Sequence, residues 1–332
     1  MSVTLVSEPR VGEASAAAAG MLAPSVEKAT GAAHRFAISA RDFYPAYLEE
    51  LADSTGIRVP LNRLGVLQVA MTENGVKGLT RQLPEESAWI DRAELQRLEP
   101  TLGHALGAVM NPEDGAVDNV ILLAALEALA GSSDKIRREH DSAVEISAAD
   151  SSAEVTLASG ARLTAGSVVV APGAWGATIR GATGLNAVTP SRGQLVSYNF
   201  TGLRHVTYGP RGYLVPRTGG TVIAGSTMES VGFVSRTTPE GIAKVRSAAE
   251  EIAPALAISE IGASWAGLRP VTPDMLPILG PDPSNPRVIY CCGHSRNGIL
   301  LAPISGEVVA GLITEEPMLH DLSQFHPARF SG

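Results

Sequence analysis

The arginine best suited to bind an anionic ligand is Arg269, which stands in the segment 265–270, Trp-Ala-Gly-Leu-Arg-Pro. Pro270 disfavours helix at the residue before it and so favours extended backbone at Arg269. An arginine among apolar residues needs a partner, because an unpaired buried charge is costly. Its planar guanidinium suits a carboxylate, bound through two hydrogen bonds. The segment therefore predicts either an anchor for a substrate carboxylate or a structural ion pair, and residue types alone leave both open.

A second polar segment, residues 293–298 (Gly-His-Ser-Arg-Asn-Gly), lies between an apolar strand and an apolar helix. The N-terminus of a helix carries roughly half a positive charge and presents N–H groups without partners. Such a helix end is able to stabilise an anionic ring of a cofactor. The alternative is an ordinary capped turn that joins a strand to a helix.

The N-terminal residues offer an acid and a run of small side chains for contact with a nucleotide. Glu8 ends the apolar strand 3–7, and an acid at that point of a βαβ unit accepts hydrogen bonds from ribose hydroxyls. Residues 15–24 are mostly small, which allows backbone to approach a flat ligand closely. A surface strand end and an alanine-rich helix are the plain alternatives, and single motifs are weak evidence. The printed sequence contains no G-x-G-x-x-G and no P-loop, so we expect it to lack the phosphate loop of such a unit.

Composition excludes several classes of function. The net charge is −8, from 34 acidic against 26 basic residues, which argues against nucleic acid or an anionic membrane as partners. The seven histidines have no metal-ligand spacing, and the adjacent Cys291 and Cys292 form no disulfide framework. No apolar stretch reaches the roughly 20 residues of a membrane span, and no secretory signal is visible. We therefore expect a cytoplasmic protein without a metal.

Helical and strand patterns alternate along the chain, which predicts an α/β fold of mixed α+β character. The chain length favours two domains over one. We predict helices at residues 36–51 (with a fresh start near Pro45), 89–98, 119–130, 238–252 and 299–313. We predict strands at residues 3–7, 64–72, 143–147, 154–158, 161–164, 167–171, 194–199, 212–216, 221–224 and 288–291. Each domain should be built from several pieces of the chain.

Taken together, four segments resemble the glycine oxidases, the thiamine-pathway members of the D-amino-acid oxidase family. The segments are residues 17–22, 170–175, 265–274 and 293–303, which occur in this order. The resemblance extends over essentially the whole chain from Val3 onward. Its most specific parts are residues 265–270 and 293–303.

The resemblance implies an FAD-binding domain interleaved with a substrate domain that carries a large antiparallel sheet. The implied FAD-binding domain comprises residues 1–58, 115–185 and 262–332, with its first βα unit missing. The implied substrate-binding domain comprises residues 59–114 and 186–261. A homo-oligomer, most simply a tetramer, is also implied.

The resemblance implies roles for individual residues. Residues implied to bind FAD are Glu8, Pro9, Ala14, Ser15, Ala19, Gly20, Met21, Val144, Gly173, His294, Ser295, Arg296, Asn297, Gly298, Ile299 and Leu300. Within this set Glu8 would bind the adenosine ribose. Residues implied to act on the substrate are Arg269, Tyr213, Arg296 and Met228. Arg269 would hold the substrate carboxylate with Tyr213 beside it, and Met228 would border a small pocket. Arg211 receives no role.

The implied reaction is FAD-dependent oxidative deamination of glycine, sarcosine or a small D-amino acid. The products would be the imine, then the 2-oxo acid and ammonia, with hydrogen peroxide formed from dioxygen. No side-chain base is required, and with glycine the imine would feed thiazole synthesis for thiamine. Two alternatives stay open. One is a related flavin dehydrogenase with another electron acceptor. The other is a non-catalytic remnant unable to hold FAD, which the absent phosphate loop suggests.

Overall fold

The computed structural model describes residues 1–27, 29–149, 152–182 and 184–330, which form a mixed α/β fold as predicted. The helices are α1 (Ala14–Ala17), α2 (Gly31–Thr55), α3 (Glu73–Thr80), α4 (Arg92–Leu98), α5 (Asn119–Ser132), α6 (Pro239–Ile252) and α7 (Gly298–Thr314). The strands of the first half are β1 (Val3–Val6), β2 (Met21–Leu22), β3 (Leu61–Asn62), β4 (Val66–Ala70), β5 (Ala88–Asp91), β6 (Gly107–Asn111), β7 (Gly115–Val117), β8 (Ile136–Glu139) and β9 (Ala143–Ala149). Those of the second half are β10 (Ser152–Leu157), β11 (Arg162–Ala165), β12 (Val168–Val170), β13 (Thr189–Asn199), β14 (Val206–Tyr208), β15 (Tyr213–Arg217), β16 (Thr221–Gly225), β17 (Ile261–Val271), β18 (Ile278–Pro281) and β19 (Val288–Cys292).

The largest sheet has eight strands in the order β17-β13-β16-β15-β14-β4-β6-β5. All of its pairings are antiparallel except that of β14 with β4. Alternating apolar residues of this sheet form a core with α6, which includes the buried Leu67, Val196 and Ile252. The resemblance led us to expect a large sheet of this kind.

The longest pairing in this sheet joins β13 to β17, from Thr189–Val271 to Tyr198–Ile261. The strand β17 starts at residue 261, where the implied boundary places the return of the chain to the FAD domain. It therefore serves the large sheet along one side and contacts α1 along the other, where Gly267 packs on Ala17. The division into domains stays a prediction.

A second group of elements lies around α2, α5 and α7. Short parallel pairs connect β1 with β8 and β12 with β19. The three helices share one apolar core with the strands β18 and β19, which includes the buried Phe36, Leu122 and Ile304. Parallel strands flanked by helices are typical of nucleotide-binding domains. The cysteines of β19, Cys291 and Cys292, are free thiols as expected.

Helix α2 differs from the prediction of a fresh start near Pro45, because it runs unbroken through that residue. Proline inside a helix costs about 3 kcal/mol. The buried residues Phe36, Tyr44, Leu48 and Leu51 lie on one face of α2, and burying one such side chain stabilises by about 1.5–3 kcal/mol. Packing of this face therefore outweighs the lost hydrogen bond.

The predicted helix at residues 89–98 is wrong in its first part. Trp89 and Ile90 belong to β5, where they pair with Val109 and Ala108 of β6. The side chain of Asp91 accepts a hydrogen bond from Glu94 N at 2.8 Å and so caps α4 one residue before Arg92. Cross-strand pairing, which a local pattern does not reveal, decides the boundary. In the described part of the chain, no helix combines the length and the apolar character that a membrane span requires.

Candidate functional site

The guanidinium of Arg269 is half-buried near the end of β17. Its Nη1 donates to the carbonyl oxygen of Thr227 at 3.0 Å, and its Nη2 donates to Ser226 Oγ at 2.6 Å. No carboxylate among the described residues lies within ion-pair distance of it. An arginine with only neutral partners retains its affinity for an anion, so the structural ion pair considered from the sequence is absent from the described residues.

The acid nearest in sequence to these contacts is Glu229, which is paired with Arg192 instead. Glu229 Oε2 accepts from Arg192 Nε at 2.7 Å and from Gln194 Nε2 at 2.8 Å. Although burial opposes it, these hydrogen bonds lower the pKa of Glu229. Arg192 therefore neutralises this carboxylate and leaves Arg269 available for a ligand.

A glycine makes room for the guanidinium of Arg269. A Cβ atom built at Gly193, in β13, would lie 2.3 Å from Nη1 and 2.4 Å from Nη2. Because the contacted group is the flexible end of a side chain, the Gly193→Ala variant should keep its fold and displace the guanidinium. We expect the KM for the carboxylate substrate to rise about tenfold or more through the lost charged hydrogen bonds. Steady-state kinetics on the variant measure this.

The matched control for Gly193→Ala is Gly262→Ala, at the opposite end of β17 from Arg269. There an added Cβ would approach only the rotatable Ser197 hydroxyl, at 2.9 Å. An equal KM in both variants would show that the space at Gly193 does not serve Arg269.

Two tyrosines connect the region of Arg269 with Arg296. The ring of Tyr213 covers Gly225, where an added Cβ would meet the phenol oxygen at 2.4 Å. The rings of Tyr213 and Tyr208 have centroids 6.0 Å apart, and Tyr208 Oη accepts from Arg296 Nη2 at 2.5 Å. Burial raises the pKa of Tyr208, which keeps its phenol protonated. Tyr208 thus joins two residues that the sequence had singled out.

Arg296 has a second partner in Glu27, whose Oε1 lies 3.1 Å from Nη2. The sequence offered no sign of either Tyr208 or Glu27. Tyr208 ends β14, which lies beside β15 only because of the sheet order.

The loop 293–298 is tied to the strand that carries Arg269. Ser295, which has a φ of 51°, donates its N–H to the carbonyl oxygen of Pro270 at 2.9 Å. The helix that follows, α7, begins at Gly298 after Asn297. Its N-terminus, as predicted from the segment, therefore lies at the end of a loop that contacts the Arg269 strand.

His294 lies at the start of this loop, where its Nε2 is 3.1 Å from Ser305 Oγ. Burial lowers the pKa of His294 to about 4, whereas histidine in an unfolded chain has a pKa of about 6.5. Between these values the unfolded chain binds a proton that the folded chain does not bind. The free energy of unfolding should therefore fall as the pH is lowered from about 6.5 to about 4.

The variant His294→Asn should lose this part of the pH dependence. Thermal unfolding of both proteins without added cofactor, across pH 4.5–7 (a window taken inside the two pKa values), measures the difference. Parallel curves for the two proteins would contradict a neutral, buried His294.

Near the N-terminus, Glu8 is held by Ser142, which the sequence had not indicated. Ser142 Oγ donates to Glu8 Oε2 at 2.8 Å and accepts from Arg10 Nη2 at 2.9 Å. Arg10 also lies over the ring of Trp175, 5.3 Å from its centroid. Glu8 and Pro9 are exposed at the end of β1. Glu8 is therefore accessible for hydrogen bonds to a ligand.

The small residues after Gly12 pack directly against β17. Leu268 N donates to the carbonyl oxygen of Gly12 at 2.8 Å, and Trp265 Nε1 donates to that of Ala17 at 2.9 Å. An open cleft of about 270 Å³ lies there, lined by Arg10, Gly12, Glu13, Ala16, Ala17, Trp265 and Ala266. The loop thus lies beside the strand of Arg269.

Backbone groups of this loop have the character of a ligand-binding segment. In the described ranges of the chain, neither Ala19 N nor Gly20 N donates to a protein acceptor, although both residues are buried. Buried N–H groups without a partner are rare in proteins. Gly20 has a φ of 70°, and a Cβ there would meet the carbonyl oxygen of Val117 at 2.0 Å. These features fit a flat cofactor that approaches the backbone closely.

The other predicted residues occupy varied environments. Gly173 opens the turn after β12 with a φ of 57°, and Met228 is 55% exposed beside Thr227. Leu300 packs in the core with 1% exposure. Ala14, Met21, Val144 and Ile299 are half-buried, and Ser15 is exposed. In the part of the chain with described coordinates, no group of three potential ligands could hold a metal ion.

Comparison with known proteins connects these observations. A sequence model of the family described as "DAO: FAD dependent oxidoreductase" matches residues 1–312. The chain is 34% identical to a glycine oxidase from Geobacillus kaustophilus, over 96% of this chain and 88% of the relative. It is 33% identical to the bifunctional protein ThiO/ThiG of Synechocystis, over 99% of this chain and 50% of that protein. The chain thus spans about half the length of this bifunctional relative.

The fold has a counterpart among solved structures. The crystal structure of glycine oxidase from Geobacillus kaustophilus superposes with a TM-score of 0.90 and 30% identity. The match covers 99% of this chain and 92% of that structure. Similarity of this extent covers both the eight-stranded sheet and the elements around α2, α5 and α7.

Proposed function

The chain belongs to the DAO family of FAD-dependent oxidoreductases, and from this premise we propose that it oxidises glycine or another small amine that carries a carboxylate. It is an enzyme of the glycine oxidase type. The single observation that supports the proposed substrate class is Arg269. Its guanidinium has only the neutral partners Ser226 and Thr227, so a carboxylate from the substrate would complete its coordination.

The proposed anchor positions the substrate from one end. A carboxylate bound by both nitrogens of Arg269 fixes the direction of the adjoining α-carbon, because two parallel hydrogen bonds define a plane. Correct positioning of reacting groups is worth roughly 7–11 kcal/mol of an activation barrier. Arg269 would contribute in this way without itself exchanging a proton.

Tyr208, Tyr213 and Arg296 would form the opposite side of the substrate site. Arg296 donates to the phenol oxygen of Tyr208, so the phenol proton of Tyr208 is directed to another acceptor. Its raised pKa keeps this proton available as a hydrogen-bond donor. We propose that Tyr208 and Tyr213 donate to the bound substrate and help to exclude water from it.

FAD would be held by Glu8, the loop 14–21 and the loop 293–300, and when bound it supplies the electron acceptor for the amine. The fit rests on the unpartnered N–H groups of Ala19 and Gly20 and on the accessible carboxylate of Glu8. The N-terminus of α7, which follows Arg296, would place its partial positive charge near the cofactor.

Finer features of the proposal follow from the resemblance. The preferred amine would be glycine, sarcosine or a small D-amino acid, oxidised to the imine with hydrogen peroxide formed from dioxygen. We further propose that the imine derived from glycine enters thiazole synthesis for thiamine, that the protein acts in the cytoplasm, and that it assembles as a homotetramer.

The decisive experiment is an absorbance spectrum of the purified chain, recorded before and after FAD is added and again after glycine is added without oxygen. The proposal predicts a protein-bound flavin spectrum that bleaches with glycine. A bound flavin that glycine leaves oxidised would contradict the substrate class. Failure to take up FAD would favour a non-catalytic remnant.

A second measurement separates an oxidase from a dehydrogenase. In air, an oxidase should form one peroxide for each glycine consumed. Turnover that requires an added dye and yields no peroxide would favour a dehydrogenase that uses another acceptor.

A further inference from the structure

We infer that Arg217 and Asn119 are positioning residues that hold the loop 15–20 by its carbonyl groups and thereby turn its N–H groups toward the cofactor. The inference rests on the proposed function, in which this loop binds FAD. It adds two residues for which neither the sequence pattern nor the resemblance gives a role.

Arg217 reaches the loop from the last residue of β15 in the large sheet. Its Nη2 donates to the carbonyl oxygen of Ala19 at 3.0 Å and to Asn119 Oδ1 at 2.5 Å. Its Nη1 donates to the carbonyl oxygen of Val117 at 2.6 Å. One planar fork thus joins three segments that are far apart in sequence.

Asn119 continues this network from the first turn of α5, where it is completely buried. Its Nδ2 donates to the carbonyl oxygens of Ser15 at 2.8 Å and Ala16 at 3.3 Å. Its Oδ1 is occupied by Arg217, which fixes the orientation of the amide. Asn119 and Arg217 therefore act as one unit.

The network accounts for the orientation of the loop. The carbonyl oxygens of Ser15, Ala16, Ala17, Ala19 and Gly20 all accept hydrogen bonds from Asn119, Trp265, Arg217 or Val117. Within the described residues, the N–H groups of Ala19 and Gly20 donate to no protein atom. A loop bound through its carbonyls on one side presents these donors on the other side. Such donors would bind oxygen or nitrogen acceptors on the edge of the cofactor ring.

An ion pair does not explain Arg217. No described carboxylate lies within ion-pair distance of it, and burial lowers its pKa. A half-buried arginine that satisfies only neutral oxygens is costly to retain for stability alone. Its geometry fits a device that orders backbone.

The test compares Arg217→Gln, Arg217→Lys and Asn119→Asp with wild type. Hydrogen exchange of the full chain without added FAD reports on the loop itself, and fluorescence titration with FAD reports on binding. In Arg217→Gln, amides of residues 15–21 should exchange about tenfold faster, because local opening becomes easier. The dissociation constant for FAD should rise about tenfold or more through the lost charged hydrogen bonds.

The other variants separate the two parts of the network. Arg217→Lys should recover less than half of the lost affinity, because an ammonium lacks the planar fork. Asn119→Asp retains an acceptor for Arg217 and loses the donor to Ser15 and Ala16. Its loop should therefore exchange faster at residues 15–17 than at residues 19–20.

The matched control is Arg211→Gln, which removes a largely exposed arginine that pairs with Glu251. Its exchange pattern in the loop and its FAD affinity should equal those of wild type. Unchanged loop exchange in Arg217→Gln would overturn the inference, and so would unchanged FAD affinity where wild type binds FAD. Wild type that takes up no FAD would overturn the proposed function, and the exchange data would still decide on the positioning network.

Discussion

Replacing Arg269 by glutamine should raise the KM for glycine by about 100-fold or more. Truncating one partner of a charge pair that is hydrogen-bonded and shielded from water costs about 2–5 kcal/mol, and each 1.4 kcal/mol is a factor of ten. The half-buried Arg269 holds only Ser226 and Thr227, so no acid of the protein would lose its partner. The loss should therefore appear in substrate affinity and spare thermal stability.

Binding of acetate isolates this effect from turnover. Acetate carries the carboxylate without the amine, so it should perturb the spectrum of bound flavin in wild type and fail to do so in Arg269→Gln. Arg211→Gln provides the matched control, since Arg211 forms an exposed ion pair with Glu251. Equal acetate affinity in Arg269→Gln and wild type would show that the carboxylate binds elsewhere.

Replacing Gly20 by alanine should abolish retention of FAD and lower the thermal midpoint. The φ of 70° at Gly20 costs a residue with a Cβ roughly 1–2 kcal/mol. The added Cβ would also lie 2.0 Å from the carbonyl oxygen of Val117, a backbone atom that has little freedom to move. The loop would have to shift and break the hydrogen bond from Val117 N to the Gly20 carbonyl, which is 2.9 Å long.

Gly56→Ala separates the backbone cost from the collision. Gly56 ends α2 with a φ of 73°, and a Cβ added there would have no neighbouring atom within 4 Å. This variant should lose a similar backbone contribution and keep its affinity for FAD. If both variants bound FAD equally well, close approach at Gly20 would have no part in cofactor binding.

The network of Arg192 and Glu229 shows how the state of Arg269 is decided. Residue types left a substrate anchor and a structural ion pair equally open. The acid closest to Arg269 along the chain of contacts, Glu229, is paired with Arg192 at 2.7 Å. This pairing depends on the register between β13 and the segment after β16, and no local pattern in the sequence contains that register.

The sequence by itself determined the segments that carry the chemistry. The polar loop 293–298 between a strand and a helix and the extended backbone before Pro270 both follow from local preferences of the chain. The alternation of elements likewise predicted a mixed α/β fold with a large sheet. Helix α2 shows the limit of local preference, since packing of Tyr44 and its neighbours outweighs the proline beside them.

Only the tertiary structure decided which side chains meet. Tyr208 reaches Arg296 across 88 positions of sequence, and Arg217 reaches Ala19 across 198 positions. Such contacts depend on sheet order and register, which arise when apolar faces distributed over the whole chain are buried together. Backbone preference acts over a few residues, whereas a site built from several strands depends on their packing. For this reason the residue types near the site were readable from the sequence, and the residues that orient them were not.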